Sequence, residues 1–248
     1  MGSEWDWDRE RGSIKLLPRV RFKVAPYEWV KKMRAGILAL GPLVAKYGEA
    51  KVSLPGGCAI GARPVNYHLE ALKKMGVEIQ VDAGYIKAQV PEILKGAQIC
   101  FPQVTVTGTE NILLVACQAE GKTTIENAAC EPEVVALGEF LNACGAKIVG
   151  LGTPTVVIEG TKLSPPSASI HIPPDRIEAG TWLATAVATR SALKISGCDA
   201  GSLASVIAAF RQLGLGIQIS DEGKTLSVEP ADKYRSIKIE TLPYPGFP

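Results

Sequence analysis

Only two histidines, His68 and His171, occur in the 248 residues, and the six cysteines (Cys58, Cys100, Cys117, Cys130, Cys144 and Cys198) stand far apart, with no Cys-x-x-Cys pair. That scarcity indicates neither a zinc site on the usual ligand spacings nor a disulfide framework. No run of 18 apolar residues is present, and no Lys/Arg-rich stretch interleaves with aromatics. A membrane-spanning helix and a nucleic-acid surface are therefore both disfavoured. Charge of one sign is missing as well: 27 basic against 25 acidic residues leave a net charge of +2. The N-terminus, Met1-Gly-Ser-Glu-Trp-Asp-Trp-Asp8, is acidic and aromatic rather than basic then apolar, unlike a secretory leader. The expectation is a soluble cytoplasmic chain that takes small molecules, with no metal and no cofactor.

What is present is ordinary globular composition, 46% hydrophobic and 21% charged, arranged in a repeat. Gly76, Gly145 and Gly214 stand 69 residues apart, and the same offset aligns Ile79, Ile148 and Ile217, then Leu72, Leu141 and Phe210, then Ala88, Val157 and Leu226. Each glycine follows an amphipathic run, as a helix with a glycine C-cap does. Hairpins are expected next: Val77–Val81 with Tyr85–Val90, Lys147–Leu151 with Thr155–Glu159, and Gly216–Ser220 with Thr225–Glu229. Opening helices are expected over Tyr27–Tyr47, Glu110–Ala119 and Ile177–Thr189, ahead of strands Ala50–Leu54, Lys122–Glu126 and Ala192–Ser196. The unit reads helix–strand–helix–strand–strand. Glu4–Leu17 reads as the closing strand pair of a preceding unit, and Arg235–Ile239 as the opening strand of a following one. Leu163–Asp175 holds four prolines and three serines, the composition of a connector. The domains are thus read as 1–18, a remnant unit; 19–172, two units; and 173–248, one unit plus the start of the next.

The stretch Ser53-Leu-Pro-Gly-Gly-Cys-Ala-Ile-Gly-Ala-Arg-Pro-Val65 carries the chemistry. A lone cysteine is by default a small buried hydrophobe, but Gly56, Gly57 and Gly61 place Cys58 on a pliable loop. Arg63 follows, and Pro64 suits the first helical position. A thiol, a guanidinium and a helix start within a few residues suit an anionic substrate: N–H donors and a bidentate fork bind it, and the thiol moves a proton.

This motif, with Met33-Arg-Ala35 upstream and Ile125-Glu-Asn-Ala-Ala129, Glu131-Pro-Glu133, Pro174-Asp-Arg-Ile-Glu178 and Pro245-Gly-Phe-Pro248 downstream, resembles the UDP-N-acetylglucosamine 1-carboxyvinyltransferase family of enolpyruvyl transferases. The resemblance runs from about Ala25 to Pro248. It implies a two-domain inside-out α/β barrel, incomplete at both ends. It also implies transfer of the enolpyruvyl group of phosphoenolpyruvate to the 3′-hydroxyl of UDP-N-acetylglucosamine, the first committed step of peptidoglycan synthesis. Carried over, Cys58 is the proton donor and adduct site, Arg63 meets the substrate anions, and Arg34 binds at the nucleotide-sugar site. Pro64, Val65, Asn66 and Tyr67 hold the uridine end, and Gln103, Val104, Thr105 and Val106 line the diphosphate. Arg34 also reads as a helix-surface charge, and Thr105 as an edge-strand residue. Two positions depart from the family pattern: Asn66 stands for Asp, and Cys130 for Arg, removing a cation beside Glu131 and Glu133. The family's Lys-Asn pair and its Asp base fall outside the 248 residues, so impaired turnover by this chain is expected, and a non-catalytic UDP-N-acetylglucosamine-binding homologue is the alternative. A sister enzyme acting on shikimate 3-phosphate ranks lower, because the cysteine loop matches the nucleotide-sugar branch.

Cys58 is expected to be the most electrophile-reactive of the six thiols, since exposure and a cationic setting both raise thiolate reactivity. Peptide mass spectrometry after brief treatment with the phosphonate epoxide fosfomycin checks this. Preferential labelling of Cys117 or Cys144 would refute it.

Overall fold

Alternating residues over Glu4–Asp8 (β1) and Ser13–Leu17 (β2) form an antiparallel hairpin in the computed structural model, which describes residues 2–17, 20–56, 65–166 and 170–248. Trp5 pairs with Leu16 and Trp7 with Ile14, so the four apolar side chains share one face, and every residue of both strands is exposed.

Val24–Ala25 (β3) leads into Tyr27–Val30 (α1), a 3-10 turn over Arg34–Ala39, Leu40–Tyr47 (α2) and Glu49–Ser53 (β4). The single helix expected over Tyr27–Tyr47 is therefore corrected to three pieces. Met33 is extended (φ −150°, ψ 139°), and Pro42, lacking an N–H, is tolerated only in a first turn, so a helix must restart close before it. Asn66–Lys74 (α3), Glu78–Asp82 (β5) and Tyr85–Gln89 (β6) follow, giving a sheet of order β3-β4-β6-β5. Then come Gln98–Cys100 (β7), Val106–Ala116 (α4), Lys122–Glu126 (β8), Pro132–Ala143 (α5), Lys147–Val149 (β9) and Thr155–Glu159 (β10), with the order repeated as β7-β8-β10-β9. β3 and β7 are parallel to their neighbours and were not expected from the sequence. Strands of two and three residues are too short to show a period. The helix expected at Glu110 begins at Val106 instead, where Thr105 caps it.

The period of two sorts the side chains. Ala50 and Val52, Ile86 and Ala88, Ile125, Val156 and Ile158 are all 5% exposed or less. Their sheet face is covered by helices: α2 packs on β4 and β6, α4 on β8 and β10, and both α2 and α3 pack against α4. Each fully buried Val or Ile side chain contributes about 1.5–3 kcal/mol. Gly76, Gly145 and Gly214, the spaced glycines of the sequence, all take left-handed φ (+90°, +96° and +111°), which lets the chain turn from helix to strand without a Cβ clash.

Arg176–Thr189 (α6), Leu193–Ser196 (β11), Ala204–Leu213 (α7), Gly216–Ser220 (β12) and Thr225–Glu229 (β13) complete the chain, with sheet order β11-β13-β12. Leu183, Ala186, Leu203, Ile207, Leu226 and Val228 form a core of their own here. α6 is capped by Asp175, whose Oδ1 accepts from the N–H groups of Ile177 and Glu178. Arg235–Ile239, expected as a strand, is irregular, since among the described residues no sheet edge pairs with it. The chain divides into two compact units, Met1–Ala128 with Gly138–Ser167, and Ala129–Leu137 with Ala168–Pro248. The class is α/β, and none of the described sheets closes on itself.

Gly41 permits the close approach of α2 to α4: a Cβ there would collide with Asn111 Oδ1 and lie 2.9 Å from Val115 Cγ2. Gly41→Ala is expected to cost about 2–3 kcal/mol of stability by overpacking and by disturbing a buried hydrogen bond. Urea denaturation measures it, and an unchanged midpoint would contradict the packing described.

Candidate functional site

Two helix starts in the first unit lie at the centre of the site. β4 ends at Ser53, and Val65 is the N-cap of α3, its carbonyl accepting from the N–H groups of His68 (3.0 Å) and Leu69 (3.2 Å). The helix thus begins at Asn66, two residues later than expected from Pro64. Val65 supplies no side-chain cap, and the first N–H groups of a helix have no partner within it, so Asn66 and Tyr67 offer donors at the end where the helix dipole is positive. The loop residues Cys58, Arg63 and Pro64 lie outside the described residues.

α4 starts by the same logic with a cap in place. Thr105 is extended (φ −138°, ψ 115°); its Oγ1 accepts from Gly108 N–H at 3.2 Å, and its carbonyl accepts from Thr109 N–H (3.0 Å) and Thr109 Oγ1–H (2.8 Å). Thr105 is therefore a helix cap, not the edge-strand residue that was the alternative. Gln103 is exposed, Val104, Thr105 and Val106 are half-buried, Val65 is buried, Asn66 exposed and Tyr67 half-buried.

Side chains that sequence reasoning missed join these two ends. His68, 1% exposed, sits in the first turn of α3. Its Nε2 lies 3.4 Å from Thr107 Oγ1 in the first turn of α4, and its Nδ1 lies 3.1 Å from Asn111 Nδ2. Asn111, 0% exposed, accepts at Oδ1 from Gly41 N–H (2.9 Å) and donates at Nδ2 to Ile37 C=O (3.4 Å). Because Oδ1 is taken by an N–H, the amide must donate to His68 Nδ1, so the ring proton resides on Nε2 and is donated to Thr107. Burial, and then the charge of half-buried Arg34, pull the His68 pKa down to about 4. That effect places Arg34, at the head of the Arg34–Ala39 turn, within electrostatic reach of His68 in the first turn of α3. The signal available in the sequence was Asn111 itself, a lone amide opening the apolar run Ile112–Ala116.

The arrangement can bind an anion: two positive helix ends meet where the neutral His68 ring touches Thr107, and the Arg34 charge is felt at that ring. The thiols divide by setting. Cys117 is buried, which pushes its pKa up to about 12, and Cys130 and Cys198 are pushed up by burial as well. Cys144 is buried and Cys100 exposed. In the second unit, Glu133 takes Arg176 (Nη2 to Oε1, 3.1 Å), whereas Oε2 of Glu131, 5% exposed, has no hydrogen-bond partner among the described residues. Among the described residues no group of three or more His, Cys, Asp or Glu could hold a metal, and no helix is long and apolar enough to cross a membrane.

A family model described as EPSP synthase (3-phosphoshikimate 1-carboxyvinyltransferase) matches residues 3–248. The chain is 49% identical over 249 residues to a UDP-N-acetylglucosamine 1-carboxyvinyltransferase of Hydrogenovibrio crunogenus, covering 100% of this chain and 59% of that protein. It is 48% identical over 226 residues to the protein so named in Nitratiruptor sp., covering 91% of this chain and 53% of that one. It therefore spans just over half to about three-fifths of these relatives' length. Among solved structures, the enolpyruvyl transferase NikO from Streptomyces tendae superposes with a TM-score of 0.78 at 20% identity, over 99% of this chain and 58% of that one. EPSP synthase from Acinetobacter baumannii gives 0.61 at 19%, over 92% and 53%. At such identities the likeness is one of fold.

The lowered His68 pKa sets a pH dependence. The unfolded chain protonates His68 near its ordinary 6.5 and the folded chain only near 4. The stability from keeping the ring neutral is thus complete above about 6.5, is lost as pH falls from there, and levels off below about 4. The loss is expected to reach about 3 kcal/mol. Urea midpoints between pH 7.5 and 4 measure it, and His68→Gln should flatten that part of the curve; parallel curves for the two proteins would disprove the assignment.

Proposed function

Since the chain belongs to the EPSP synthase family of enolpyruvyl transferases, we propose that it carries part of an active site that transfers the enolpyruvyl group of phosphoenolpyruvate to the 3′-hydroxyl of UDP-N-acetylglucosamine. Phosphate is released, and the product enters peptidoglycan synthesis in the cytoplasm. The observation that supports the reading is that the starts of α3 and α4, stretches far apart in sequence, meet through His68 and Thr107 in one unit, with the Arg34 charge felt at His68. Relatives at 48–49% identity named for this substrate support it over the shikimate branch, whose solved structure is 19% identical.

In this mechanism the Cys58 thiol gives its proton to the methylene carbon of phosphoenolpyruvate, and the adjacent carbon becomes electrophilic. The sugar 3′-oxygen bonds to that carbon as its own proton departs to a base. Loss of a methyl proton and cleavage of the carbon–oxygen bond to phosphate then give the enolpyruvyl ether. Arg63 and Arg34 hold the anions, and charge stabilisation in a closed site is often the largest catalytic contribution. The resemblance further implies a two-domain inside-out α/β barrel protein, with a domain boundary near Ile172. The alternative reading is a homologue that binds UDP-N-acetylglucosamine without turnover.

Two measurements test this. Phosphate release with both substrates, against a Cys58→Ala control, separates the enzyme from the binder, and absence of UDP-N-acetylglucosamine binding by calorimetry would sink both. Arg34→Ala is expected to weaken that binding about 10- to 100-fold, the range for a charge-assisted hydrogen bond.

A further inference from the structure

Every polar atom of the His68 and Asn111 side chains is matched in a region with almost no solvent contact. Burying polar atoms gains little over an apolar side chain even when each is paired, so a space-filling role alone gives no reason for them. Their bonds end on the three stretches that meet at the site. Thr107 is two residues into α4 from its Thr105 cap, and His68 belongs to the first turn of α3. Ile37 and Gly41 lie on the segment that Arg34 heads. We propose that His68 is a positioning residue: through Thr107 and Asn111 it locks the starts of α3 and α4 to each other and to the Arg34 segment, so that one fixed constellation meets a diphosphate.

This rests on the reading above of which groups face the substrate. The geometric reason is that a bidentate anion held by two helix ends requires both at once. A shift of about 1 Å between them is enough to lose most of the advantage of pre-organisation. A hydrocarbon at position 68 fills the volume but leaves Asn111 and Thr107 short of a partner and the helices able to slide.

The test titrates the 15N-labelled 248-residue chain with inorganic pyrophosphate and, separately, with UDP-N-acetylglucosamine, following the amides of Asn66 and Tyr67 against those of Val106 and Thr107. In the wild type, pyrophosphate should move both sets with one dissociation constant. His68→Leu should weaken binding by about tenfold or more and split the two sets, while His68→Gln, which keeps an acceptor for Asn111 and a donor for Thr107, should restore it to within about threefold. Thr107→Val removes only the link to α4 and serves if the leucine variant does not fold; it should also split the sets. Wild-type affinity in the folded leucine or valine variant, or failure of pyrophosphate to move both helix starts in the wild type, overturns the proposal. Pyrophosphate moving both sets while UDP-N-acetylglucosamine moves neither supports the positioning role and sinks the substrate assignment instead.

Discussion

A single amide buried among hydrocarbon constrains much of the first unit. Asn111 is fully enclosed, and each unmet polar atom there would cost about 1–3 kcal/mol, so its surroundings must supply two acceptors and one donor. They do so from two other segments: the carbonyl of Ile37, the ring of His68 and the N–H of Gly41. Residue 41 must be glycine for α2 to approach that closely. Apolar packing would allow α2, α3 and α4 to slide over one another, whereas a matched set of hydrogen bonds does not. The sheets β3-β4-β6-β5 and β7-β8-β10-β9 then take their places against these helices.

The electrostatics follow from the same burial. A charged imidazole beneath Arg34 would add cation to cation, and desolvation prevents it, keeping His68 a neutral hydrogen-bonding strut. Among the described residues, positive character at the helix starts then comes from backbone dipoles and Arg34, groups that do not titrate in the physiological range. Burial also sorts the thiols, taking Cys117 far from reactivity. In the second unit Arg176 pairs with Glu133, and among the described residues Oε2 of Glu131 has no hydrogen-bond partner.

Strands with alternating residues were legible, as in Thr155–Glu159 and Thr225–Glu229, because period two is set by backbone geometry alone. Glycines that end helices were legible for a similar reason, since left-handed φ penalises any other residue. Less was visible where the backbone choice depends on a partner. β3 and β7 exist because β4 and β8 offer an edge, and Arg235–Ile239 stays irregular because no described edge is offered. The break at Met33 was signalled weakly by Pro42 and outweighed by the apolar pattern around it.

For the site, the sequence by itself determined the glycine-flanked motif around Cys58 and the motif residues that mark an enolpyruvyl transferase, whereas the start of α4 at Val106 under its Thr105 cap came from the structure. Such motifs are short-range properties, written in neighbouring residues. Only the tertiary structure decided that His68 in the first turn of α3 meets Thr107 in the first turn of α4, and that the Arg34 charge acts on its neutral ring. His68 and Asn111 are 43 residues apart, and Gly41 and Asn111 are 70 apart. Which polar atom meets which depends on how helix faces come together, and that is settled by the packing of the whole unit rather than by the residues on either side.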